Sequence, residues 1–407
     1  MGLSHYIIPT AYIGYLTGYG IVFAGRVLII YQLLIAPKVG RDIFLWLSIT
    51  IVAFITASLY GWLVDDILRD CGAVLSFVVG RVLIFPRKIT FPYIRTLIAL
   101  SRFGNLLVLL VFTGAFFAYK NGASAYLWRG SYVPFINNWL PFLIAVNVGL
   151  QRIGSPQSWR YIFQAVFCVL GTLISLSRTD LLLEIFFGLA LVCTHWRRFF
   201  TPRGLVMLFL AILLSALILP AYLNLDVVQE RLNRGVSADQ DMSMGWRFME
   251  NESLYVFLGD SVTRWALGMG IGARLPLPSG TLDFNGNSSI PFLHNSFLTI
   301  ILKTGILGLL GFIFYLTMIF RRSCKMQSVE AKALYFIGAW IILFVLGKAI
   351  SLQGLTEWSH VFFFGFGACL IARSKFIENY CAILTMQTNI TIKNNDYAMD
   401  KVIVING

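Results

Sequence analysis

Charge is scarce in this chain. Of its 407 residues only 13% are Asp, Glu, Lys or Arg, and acidic groups are the rarer kind, 19 against 32 basic ones. So little charge beside 58% apolar residues excludes both an ordinary water-soluble core and a disordered polymer. Cysteine and histidine are scarce too, six and four residues. Cys168, Cys193 and Cys369 fall within apolar runs, Cys324 and Cys381 fall on the side read below as cytoplasmic, and Cys71 alone lies near the outer surface. No external pair is left for a disulfide. No C-x-x-C or His-rich spacing occurs, so a structural zinc site is not expected. A basic leader with a small-residue cleavage site is also missing, and no cleavable signal peptide is expected.

What the chain has in abundance is apolar runs long enough to cross a bilayer. They lie near 6–20, 21–36, 43–62, 72–86, 98–118, 134–150, 159–176, 181–195, 204–222, 296–320, 333–350 and 357–373. Gly14, Gly18, Gly20 and Gly25 make the first two either a tight helical hairpin or one long span. The expected architecture is all-α and polytopic, with about twelve spans. It divides into membrane helices over 1–222 (about nine spans), a large loop over 223–295, the last three spans over 296–373 and a tail over 374–407. In the tail, Ile390, Ile392, Val402 and Val404 alternate as short strands would.

Lysine and arginine orient the chain. One alternating set of loops holds Lys38, Arg41, Arg87, Lys88, Arg95, Arg152, Arg197, Arg198, Arg203, Arg321, Arg322, Lys325 and Lys332, and reads as cytoplasmic. The other set carries Arg69, Lys120, Arg129, Arg178 and the loop 223–295, and reads as external. The net charge of +13 is then mostly a topology signal, and nucleic acid is not an expected partner. Within the external loop, residues 225–241 read as a solvated segment. Residues 245–267 read as an amphipathic helix on the outer leaflet, with Trp246, Met249, Leu254, Phe257 and Leu258 on one side and Arg247, Glu250 and Glu252 elsewhere. Gly268, Gly270 and Gly272 follow. Without a preceding strand they read as a tight re-entry toward the membrane rather than a dinucleotide loop.

Charges inside or at the rim of a bilayer are costly unless paired or used. Arg178 sits in a very short outer turn, where it either pairs with Asp180 or Glu184 or binds phosphate. Lys303 is expected to neutralise a buried carboxylate such as Glu184, while Lys348, Arg102 and Arg81 have no partner assignable from sequence. Asp65, Asp66 and Asp70 surround Arg69, and a salt-bridged turn or helix cap accounts for them more simply than a metal site.

One histidine stands where chemistry is plausible. His294 and Asn295 lie at the outer mouth of the span 296–320, followed by Gly305 and Gly308. In an ideal helix, at about 100° per residue, Gly305 returns to the face of His294 three turns deeper. The bare strip so formed suits a lipid tail with its head group at the histidine, and it suits close packing of a neighbouring helix as well.

The run His294-Asn295, nine residues, Gly305, two residues, Gly308 resembles the signature of the O-antigen ligase and polymerase family. Ser177-Arg178 and Arg247 fall where that family has its essential arginines, and the resemblance covers roughly 170–320. It implies a twelve-span bacterial inner-membrane glycosyltransferase of the metal-independent, inverting GT-C type, with its active site facing the periplasm and no cofactor. Leu309 follows the last motif glycine, where ligases often carry Gly, Thr or Tyr, and this favours a polymerase. The implied donor is an oligosaccharide on undecaprenyl diphosphate. The implied acceptor is a second lipid-linked repeat unit for a polymerase, or lipid A core for a ligase, with membrane lipid and a chain-length regulator as further partners.

In that frame Arg178 and Arg247 would clamp the leaving diphosphate, because guanidinium forks stabilise developing phosphate charge without a metal. His294 would take the acceptor hydroxyl's proton, histidine being able to exchange a proton near neutrality. Asn295, Arg264, Arg274, Gly305 and Gly308 are the expected substrate-binding positions, and Lys120 and Arg129 could meet a second diphosphate. A transporter is the rival class, but no internal repeat is visible and the polar features gather on one side of the membrane. A membrane scaffold would leave His294 and the two arginines without a use.

Overall fold

The computed structural model describes residues 41–82, 94–99, 101–104, 142–147, 149–150, 242–283, 286–321, 328–351 and 360–380, with isolated positions between 106 and 229 and Leu355. These residues are mostly helical. The helices are α1 (Arg41–Tyr60), α2 (Val64–Val82), α3 (Met242–Leu258), α4 (Val262–Leu267), α5 (Ser296–Phe320), α6 (Val329–Ser351) and α7 (His360–Tyr380). A two-stranded antiparallel ladder, β1 (Leu275–Pro276) with β2 (Ser289–Ile290), stands between α4 and α5. Helices α5, α6 and α7 are long and apolar enough to cross a membrane, as in a multi-pass membrane protein. The first two and the fifth to ninth expected spans, apart from short stretches, and the possible tail strands lie outside the described residues.

α1 and α2 form a tight pair. α1 ends at Gly61, whose φ of 68° turns the chain, and Asp65 and Asp66 occupy the first turn of α2, where the helix dipole favours negative charge. α2 begins eight residues before the apolar run at 72–86, because its first turns carry the acidic cluster that lowers local hydropathy. α1 exposes Ile51, Phe54, Ile55 and Leu59 on one side and buries Ala53 and Ala57 on the other.

The core of the helical assembly gathers Phe77 of α2, Phe312 and Tyr315 of α5, and Phe364 of α7. Glycines let these helices approach. A Cβ on Gly80 would lie 2.1 Å from Phe362 O, and one on Gly365 would lie 2.3 Å from Phe77 O, so α2 and α7 cross with backbone nearly in contact. α7 runs past Arg373 to Tyr380. Ser374 donates to Ala331 O at 2.6 Å, and the Lys375 ammonium donates to Ile319 O at the carbonyl end of α5, where a cation is favoured.

A second core caps the first. Leu254 and Leu258 of α3, Leu275 and Ile290 of the ladder, Leu293 of the turn before α5 and Leu302 of α5 are all buried together. The single amphipathic helix expected over 245–267 is two helices. Gly259, at φ 54°, ends α3, and Ser261 caps α4 by accepting from Arg264 N at 3.4 Å. The turn signal Gly-Asp-Ser was present in the sequence and outweighs the apolar period running through it.

Candidate functional site

α5 starts under firm local control. Asn295 is its N-cap, its side-chain oxygen accepting from Phe297 N at 2.9 Å and Leu298 N at 3.4 Å. Leu293 N donates to Thr299 Oγ1 at 3.0 Å, which pulls the preceding turn against the helix. Leu355 N, in the connection between α6 and α7, donates to Ser296 Oγ at 3.0 Å. Together these bonds hold His294 at the mouth of α5.

Its partner is Glu250 of α3. The His294 Nδ1 lies 2.7 Å from Glu250 Oε1, and the His294 backbone amide donates to Oε2 at 2.8 Å. Trp246, one turn earlier on α3, donates its indole N–H to Oε1 at 2.7 Å. The carboxyl is buried at 2% exposure while the imidazole keeps 32%. Sequence reasoning set Glu250 aside as a charge on the other face of an amphipathic helix. Glu250 lies four residues after Trp246, so the two share a helix face, but its second partner is 44 positions away and invisible to local pattern.

Arg247 stands three residues before Glu250 on α3. It is half-buried, its Nε is fully buried without a hydrogen-bond partner, and among the described residues it forms no ion pair. Arg264 and Arg274 are engaged instead. Arg264 donates to Phe257 O at 3.2 Å, while Arg274 bonds Asp66 at 3.0 Å, Ser289 Oγ at 3.0 Å and Ser289 O at 2.9 Å. Arg178 lies outside the described residues, as do Glu184, Lys120 and Arg129.

Below the histidine the geometry departs from an ideal helix. Gly305 has φ 67° and ψ −173°, so α5 is two helical segments joined at a kink, and His294 precedes the N-cap Asn295, so the ideal-helix spacing does not run between them. The space expected to be bare is filled by chain. A Cβ on Gly305 would lie 2.1 Å from Ala266 O and 2.6 Å from Gly268 N. The glycine run at 268–272 is tightly turned, with positive φ at Gly268, Gly270 and Gly272, and it docks on the break. Met269 N donates to Leu302 O at 2.7 Å, Gly270 N to Lys303 O at 3.0 Å, and Ile271 N reaches Ala53 O of α1 at 3.2 Å. The packing explanation therefore accounts for Gly305. Gly308 lines a small apolar crevice with Ile49, Ile300, Thr304, Gly311 and Phe312.

Lys303 neutralises a buried carboxylate, as expected, and among the described residues it is that of Asp70 on α2. Asp70 Oδ2 also accepts from Gly272 N at 2.6 Å, and Asp70 Oδ1 meets Arg69 Nε at 3.3 Å. Asp66 bonds Arg69 and Arg274. The salt-bridged turn expected at 65–70 thus extends into a clasp joining α2, the glycine run and α5. Phe292, two residues before His294, lies under the Lys303 ammonium at 4.5 Å and the Arg69 guanidinium at 4.9 Å from its ring centre, so the clasp abuts the histidine turn.

No family model and no curated protein matches this chain.

Proposed function

We propose that the chain is an inner-membrane glycosyltransferase that polymerises oligosaccharide repeat units carried on undecaprenyl diphosphate, acting at the periplasmic face on O-antigen or a related surface polysaccharide. In this reading it has about twelve spans in a GT-C arrangement. The observation that carries it is the pairing of the motif histidine with a buried carboxylate on the helix that also bears Arg247, an arginine with no partner among the described residues. A base and an anion clamp are the two groups that transfer from a lipid diphosphate needs.

The step balances without a metal. The acceptor hydroxyl oxygen attacks the anomeric carbon and forms the glycosidic bond, and its proton passes to His294 Nε2. The bond from the anomeric carbon to the phosphate oxygen breaks with its electron pair, releasing undecaprenyl diphosphate. Arg247, joined by Arg178, holds the phosphate oxygens as charge accumulates there.

A deletion strain tests the reading. It should accumulate single repeat units on their carrier or on core, with long chains absent. Long polymer retained on undecaprenyl diphosphate above unsubstituted lipid A core would make the protein the ligase. Purified chain with lipid-linked donor should keep its activity in excess EDTA, and loss restored by magnesium or manganese would overturn the arginine clamp as the sole stabiliser.

A further inference from the structure

We infer that Glu250 is the positioning residue of the His294 base, an inference that rests on His294 acting as proton acceptor in glycan transfer. An ionised carboxylate offers only lone pairs, so the ring nitrogen facing it must carry the hydrogen. Glu250 Oε1 stands 2.7 Å from Nδ1. The proton is thereby held on Nδ1, and Nε2 is left with the lone pair that a base needs.

Three donors converge on this carboxylate, and two of them belong to His294 itself. Binding both the backbone amide and the ring N–H of one residue fixes the imidazole in place and in rotation. Trp246 secures the oxygen shared with the ring. Burial gives the arrangement its second effect. A carboxylate at 2% exposure is little screened by water, so its hold on the ring N–H is not loosened by competing solvent. The ring's own 32% exposure leaves its other edge open to an acceptor.

A scaffold role alone does not account for the choice of residue. α3 already packs on α5 and the turn before it through Leu254, Leu258, Leu293 and Leu302. An apolar side chain at position 250 would join that core without the cost of desolvating a charge.

The test uses the full chain in lipid nanodiscs, labelled with nitrogen-15 histidine and assigned by His294→Ala, and compares wild type with Glu250→Gln and Trp246→Phe. In wild type the His294 signals should show the Nδ1–H tautomer. In Glu250→Gln that tautomer should be lost or mixed, because an amide can present a donor to Nδ1. With lipid-linked donor and acceptor, kcat of Glu250→Gln should fall by about 100-fold or more while KM for donor stays within about twofold. Trp246→Phe removes one of the three donors and should give a smaller fall in kcat, again at unchanged KM. It serves as the deciding variant if Glu250→Gln does not fold. An Nε2–H tautomer in wild type, or wild-type kcat in a folded Glu250→Gln or, failing that, in Trp246→Phe, overturns the inference. If wild type transfers no glycan, the functional reading fails, and the tautomer comparison alone decides for or against Glu250.

Discussion

Arg247 differs from the other described cations near the site in having no hydrogen bond or ion pair among the described residues. Arg274 and Lys303 are tied to Asp66 and Asp70, and Arg69 to both. Substitution should separate these roles. Arg247→Ala should abolish most glycan transfer while shifting stability by no more than about 1 kcal/mol, since no partner among the described residues is left behind. Arg247→Lys should transfer poorly too, because an ammonium cannot reproduce the two-pronged contact. Arg274→Ala should destabilise by about 2–3 kcal/mol, because it strips charge-assisted bonds from Asp66 and Ser289. Thermal unfolding in detergent alongside transfer assays checks both. Equal loss of stability in the two variants would show that Arg247 is as embedded in the fold as Arg274. At this scale His294 is singled out by residue type and place and Arg247 by the family resemblance alone, while nothing local singles out Glu250. A buried charge is recognised by its partners, and these come from different stretches of chain.

The apolar helices were legible as elements. The run at 296–320 is α5 at both ends, and those at 43–62 and 333–350 match α1 and α6 to within four residues at either end. Hydropathy fails where chemistry interrupts it, as at the start of α2. It also fails to separate one use of glycine from another. Gly305 and Gly308 look alike in an apolar run, yet only Gly305 has a positive φ and only it breaks the helix. Gly305→Ala should therefore be severe, combining backbone strain of about 1–3 kcal/mol with a collision against Ala266 O. Gly280→Ala makes the control. Its φ is 84°, but nothing lies within 4 Å of the added carbon, so only the strain should appear. Equal melting shifts for the two would mean that the loop contact at Gly305 contributes nothing.

Across the whole molecule, the clasp of Asp66, Arg69, Asp70, Arg274 and Lys303 joins parts of the chain more than 200 residues apart. Removing one partner of the buried Asp70–Lys303 pair, as in Asp70→Asn or Lys303→Met, should cost about 3–5 kcal/mol by stranding the other charge. The double variant should be more stable than the sum of the singles implies, as measured by a thermal double-mutant cycle. Strict additivity would dissolve the clasp into independent contacts. The break in α5 also bears on the order of assembly. At the kink Leu302 O and Lys303 O accept from the amides of Met269 and Gly270, donors from outside the helix. In an apolar surrounding, a backbone carbonyl without a partner costs several kcal/mol. The donors precede α5 in the chain, so they have been synthesised before the helix that needs them. The final break in α5 can form at low cost only with that loop in place, which couples completion of this span to docking of a segment made before it.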